Sequence, residues 1–107
     1  MTINLLPLDG SGHPIDLFRL SPGNAQQIAF TGTSARQTNA FVSNRLAIAV
    51  YATKDCFVKT GSNTVTATTS DHFLPAGFYT TLALKGDTYI AAISNGTNGT
   101  LYISELE

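Results

Sequence analysis

His13, His72 and Cys56 are the only residues of this chain with imidazole or thiol chemistry, so they bound what it can catalyse. A metal site of the cupin kind needs several imidazoles and a carboxylate converging within about 2 Å of one ion. His13 and His72 stand far apart on turn-rich segments, and neither has a second histidine beside it. Ser70-Asp71-His72 places the three residue types of a hydrolytic triad side by side. Direct neighbours on an extended chain point in alternating directions, however, and a triad also needs an elbow and oxyanion donors. Cys56, in Asp55-Cys56-Phe57-Val58, has no partner for an intrachain disulfide and reads as a buried structural thiol. Asp9, Asp16, Asp55, Asp71 and Asp87 fall at turns or strand ends, where aspartate closes local hydrogen bonds, so no carboxylate pair stands out for glycoside chemistry. The glycines form no phosphate cradle. These residues predict a protein that is not an enzyme and that carries no metal and no cofactor.

Composition points the same way. The chain has 107 residues, enough for one domain and one modest core, and only 12% of them are charged. Six Lys and Arg, scattered from Arg19 to Lys85, leave a net charge of −1 with no basic patch. Nucleic-acid binding is therefore not expected. Solubility rests on Ser, Thr and Asn; so few charges suit a surface that packs against another subunit, and equally suit the Thr-rich faces of an ordinary β domain. The first residues, Met1-Thr-Ile-Asn-Leu-Leu-Pro7, have neither the basic nor the apolar region of a signal peptide, and no stretch is long and apolar enough to span a membrane. The expectation is synthesis in the cytoplasm. Asn95-Gly-Thr97 and Asn98-Gly-Thr100 match the glycosylation sequon, but read here as turns followed by β-formers.

What must position any functional side chain is a set of short strands. Pro7, Gly10, Gly12 and Pro14 break residues 1–14 into an extended arm with at most a short strand at 3–6. Strands are predicted at 15–20, 25–31, 45–53, 56–60 and 71–74, with a turn at Ser21-Pro-Gly-Asn24, a long loop over 32–44 and a weakly anchored loop over 61–70. Residues 73–107 read as a meander of three strands, 78–84, 89–94 and 101–106, with Lys85-Gly86-Asp87 and Asn95-Gly96 as hairpin turns. No segment has helical periodicity. About eight strands spaced roughly ten residues apart predict an all-β fold: a small single-domain β-sandwich or jelly roll of short antiparallel strands over 15–107, preceded by the arm.

The second half also carries a resemblance. Leu46–Thr53 followed by Lys-Asp-Cys-Phe-Val58, then Thr66–Gly77, Tyr89-Ile-Ala-Ala-Ile93 and Gly99–Leu106, resembles small structural proteins of tailed bacteriophages over roughly residues 45–107. Its motifs are strand and turn patterns rather than catalytic signatures. The resemblance implies a capsid decoration or cement protein, bound to the phage major coat protein on the outside of the virion and forming homo-oligomers. Alternatives are a tail, fibre or head–tail component, or a carbohydrate-binding β-sandwich module using exposed Tyr or Phe. Candidate partner contacts are Leu5, Leu6 and Leu8 in the arm, Arg36 and Phe41 in the first loop, and Asn63, Val65 and Thr69 in the second.

Overall fold

The computed structural model describes residues 19–107. They form β1 (Leu20–Phe30), β2 (Ala35–Arg36), β3 (Ala47–Ala52), β4 (Cys56–Gly61), β5 (His72–Leu74), β6 (Tyr79–Ala83), β7 (Tyr89–Ser94) and β8 (Gly99–Leu106). Two four-stranded antiparallel sheets result, ordered β1-β8-β3-β6 and β2-β7-β4-β5. The pairs β1·β8, β2·β7, β3·β6 and β4·β5 are nested, as when one long antiparallel ribbon is rolled up, which is the order of a jelly roll. The expected fold class holds.

Alternation along the strands builds the core. Ile48, Val50 and Ala52 of β3, Leu101 and Ile103 of β8, and Ile28 and Phe30 of β1 face Cys56 and Val58 of β4, Ile90 and Ala92 of β7, and Leu74 of β5. The residues between them on β8, β1 and β6 point outward and are exposed or half-buried, apart from Leu106 at the sheet end. Phe30 lies so close to the start of β8 that a Cβ on Gly99 would sit 2.8 Å from its ring. Only glycine lets the two strands approach there.

Three expectations are corrected. Residues 73–107 are not a meander: β6 and β8 lie in one sheet with β3 between them, and β7 lies in the other. Lys85-Gly86 and Asn95-Gly96 therefore carry the chain from sheet to sheet. Leu84–Asp87 has the geometry of a type I′ turn, with φ of 47° at Lys85 and 91° at Gly86 and a 2.9 Å bond from the Asp87 N–H to the Leu84 carbonyl. The turn residues were identified correctly, but a local turn does not say which sheet the next strand joins. Ser21–Asn24 is an excursion within β1, where the register shifts between Leu20 and Ala25. Gly23 takes φ of 77°, and Asn24 Nδ2 donates to Ser21 Oγ at 2.7 Å.

The loop after β4 is better held than its composition suggests. Ala67 is buried, and its N–H donates to Ser34 Oγ at 2.8 Å. Asp71 Oδ2 accepts from the Thr68 N–H at 2.7 Å, and the Val65 N–H donates to the Ser62 carbonyl. Likewise, residues 32–44 are pinned by Gln37, 1% exposed, whose Nε2 donates to the Thr88 carbonyl at 3.1 Å while its Oε1 accepts from the Ile90 N–H at 2.8 Å. The arm, and its strand at 3–6, lie outside the described residues.

Candidate functional site

Among the described residues, which do not include His13, those with reactive side chains are dispersed. Cys56 is wholly buried in the core, where burial, with a smaller contribution from the Asp55 carboxylate, pushes its thiol up to about 11. A thiol held protonated in this way is a poor nucleophile. His72 is exposed on β5 and borders a shallow cleft of about 230 Å³ with Lys59, Thr60, Leu82 and Ala83. Asp71 does not orient it, because its carboxylate accepts from the N–H and hydroxyl of Thr68. Asp55 accepts from the Ala76 N–H at 2.8 Å, and Asp87 from the Thr60 hydroxyl at 2.7 Å. Each of these carboxylates closes a turn or joins neighbouring segments. Among the described residues, no three of His, Cys, Asp and Glu gather as a metal site would require. Among the described residues no helix is long and apolar enough to cross a membrane.

One arrangement does stand out. On the outward face of the β1-β8-β3-β6 sheet, the register aligns Gln27, Tyr102, Tyr51 and Tyr79 in a row across all four strands. Tyr79 is 71% exposed and Tyr102 46%, while Tyr51 lies half-buried between them with its ring centroid 5.1 Å from that of Tyr79. The next row is Ala25, Ser104, Ala49 and Thr81, and the one beyond it Leu106, Ala47 and Ala83. Every position in these rows is uncharged, and because Ala47 and Leu106 are buried the exposed part of the face is the first two rows. An extended face with exposed aromatic rings, small neighbours and no charge is what interface cores select and what most monomer surfaces avoid. Period-two alternation in the sequence separates Tyr79 and Tyr102 from the core positions. It cannot show that Tyr51, 51 residues before Tyr102, is its neighbour.

The outer face of the second sheet differs. Phe57 and Phe73 pack edge to face at 5.6 Å, but Lys59 and Arg36 lie in the adjoining row.

The candidate contacts named from sequence do not converge. Arg36 is exposed on β2, with its guanidinium 4.5 Å above the Tyr89 ring and Nη1 donating to the Gln37 carbonyl. Asn63 and Thr69 are exposed on the second loop, and Val65 is half-buried against Gly61. Phe41 is a correction: at 3% exposure it belongs to the core, and its N–H donates to the Thr88 carbonyl, so its side chain is not free for a partner. A large apolar side chain in a polar loop was misread as a surface anchor. Leu5, Leu6 and Leu8 lie outside the described residues.

Comparison of the chain with protein-family models, curated proteins and solved structures finds no match.

Proposed function

We propose that this chain is a non-enzymatic structural protein of a bacteriophage particle, a decoration or cement protein that binds the major coat protein on the outside of the capsid. The observation that supports this reading is the uncharged face of the β1-β8-β3-β6 sheet with its row of tyrosines. Tyrosine suits such a role because its ring brings a large contact area with few rotatable bonds and its hydroxyl accepts a wet rim. The resemblance of residues 45–107 to small phage structural proteins supplies the partner. The jelly roll is compatible with it but is shared by many functions, so the face and not the fold supports the reading.

Mass spectrometry of purified particles tests the reading. The protein is expected in many copies per particle, and its absence overturns the proposal. A dozen or fewer copies would move it to the tail or the head–tail junction.

The same row favours a second reading, carbohydrate binding, because sugar rings stack on exposed tyrosines flanked by Gln and Thr donors. A glycan array separates the two. Binding that is lost on Tyr79→Ser would favour the sugar, and an array without signal would leave the coat protein.

A further inference from the structure

Free edges of β-sheets are normally blunted, since their unpaired N–H and C=O groups template pairing with another chain. Two of the four edges here are blunted by their length, β2 spanning two residues and β5 three before Pro75, and β1 is broken by the excursion at Pro22-Gly23, leaving Ala25–Phe30 in regular register. β6 is neither blunted nor broken: Tyr79-Thr80-Thr81-Leu82-Ala83 has no charge, no proline and no register shift against β3.

Its free groups can be identified. The Leu84 N–H donates to the Leu46 carbonyl at 2.9 Å, in line with the Ile48↔Leu82 and Val50↔Thr80 pairs. Hydrogen-bonded and non-bonded pairs alternate along an antiparallel ladder, so Leu82 and Thr80 bond to β3. The N–H and C=O groups of Tyr79, Thr81 and Ala83 then point off the sheet, and among the described residues no strand pairs with them.

We propose that this edge pairs with β6 of a second copy, antiparallel, about a two-fold axis at Thr81. That register sets Thr81 against Thr81, and Tyr79 against Ala83 of the second copy, so every free group meets its complement. It also fits large to small, since each Tyr79 ring faces an alanine, and the facing threonines are a favourable cross-strand pair. An acidic or basic partner segment finds nothing to attract it on this strand, whereas a second copy meets no like charge. The product is one continuous eight-stranded sheet whose outer face joins the uncharged faces of two chains, a closed isologous dimer. The inference concerns self-association and stands whether or not the virion reading holds.

The test is the mass of the full chain, measured by light scattering and sedimentation at concentrations up to about 1 mM, enough to populate a complex with a Kd of roughly 0.1 mM. Wild type is expected to reach twice the chain mass. Thr81→Pro, which removes the central N–H, is expected to weaken dimerisation at least tenfold. Thr81→Lys and Thr81→Glu are each expected to run as single chains, and an equimolar mixture to recover the dimer, a result that general destabilisation cannot produce. If Thr81→Pro fails to fold, as judged by circular dichroism, the charge pair decides. The proposal is overturned if wild type stays at single-chain mass throughout, if the Thr81 variants dimerise as wild type does, or if the mixture stays monomeric. It is equally overturned if residues 1–18, or a coat-protein strand, are found on the edge by cross-linking.

Discussion

Among the described residues, one charged residue is buried in the fold, Glu105. Glu105 points between the layers at the end of β8, where its Oε1 accepts from Arg45 Nε and from the Val42 N–H, each at 2.9 Å. Both partners of the ion pair are almost wholly buried. Arg45 also donates to Ser21 Oγ at 3.2 Å, so one cluster ties the β1 excursion and the approach to β3 onto β8. Removing one member of a buried pair leaves the other desolvated, a loss of about 3–5 kcal/mol. Glu105→Ala is therefore expected to lower the urea midpoint sharply, and Arg45→Met with Glu105→Leu to recover much of the loss. Cys56 supplies a pH test. Its pKa is raised in the fold from 9.0 to about 11, so the native state holds the thiol proton more tightly than the unfolded chain does. The resulting stability is complete below pH 9 and falls as pH rises toward 11, by about 1.4 kcal/mol per unit. Denaturant midpoints measured across that window should decline in wild type and less in Cys56→Val, and iodoacetamide at pH 8 should label only unfolded protein.

At the scale of elements, the Leu84–Asp87 turn makes a paired prediction. Gly86 has φ of 91° and open space where a Cβ would stand, so Gly86→Ala suffers only backbone strain, about 1 kcal/mol. Lys85 already bears that strain at φ of 47°, and Lys85→Gly is expected to be neutral or slightly stabilising in thermal melts. This turn also shows what a sequence can say about a rolled sheet. Lys85-Gly86 announces a reversal, and period-two patterning in 47–52, 89–94 and 101–106 announces strands, because both signals are local, while the apolar residues on both faces of 47–52 leave its inner side open in the sequence. Whether a reversal makes a hairpin or an arch depends on which strands the next one joins, and β6 to β7 is an arch because β7 enters the other sheet between β2 and β4, leaving the outer side of β6 without a strand. What holds the two long loops is hidden in the sequence for a related reason. Gln37 and Ala67 are held by Thr88, Ile90 and Ser34, groups 33 or more residues away, and polar composition alone does not reveal such bonds. The tyrosine row was half legible: the faces of Tyr79 and Tyr102 follow from period two, but the row exists only once β8 is placed between β1 and β3.

For the molecule as a whole, the core and the proposed docking face lie on different sides of the same sheet. β8 runs through its middle, with Leu101 and Ile103 wholly or almost wholly buried on one face and Tyr102 exposed on the other. The two faces can therefore be changed separately. Removing an exposed ring forfeits little burial, so Tyr79→Ser and Tyr102→Ser should each move stability by no more than about 1 kcal/mol. Ile103→Ala, a core truncation on the same strand, should cost about 2–5 kcal/mol. Binding should follow the opposite order. If the uncharged face docks on the capsid, the two tyrosines are its aromatic anchors, and losing both together should weaken binding to particles at least a hundredfold, about 2.7 kcal/mol, while the melting temperature stays near wild type. Ile103→Ala should bind normally wherever it remains folded. Co-sedimentation with particles lacking the protein, read beside thermal melts of the same variants, gives both quantities. Undiminished binding by the double tyrosine variant would take the contact away from this face and return it to β2 with Arg36 and the loop with Asn63.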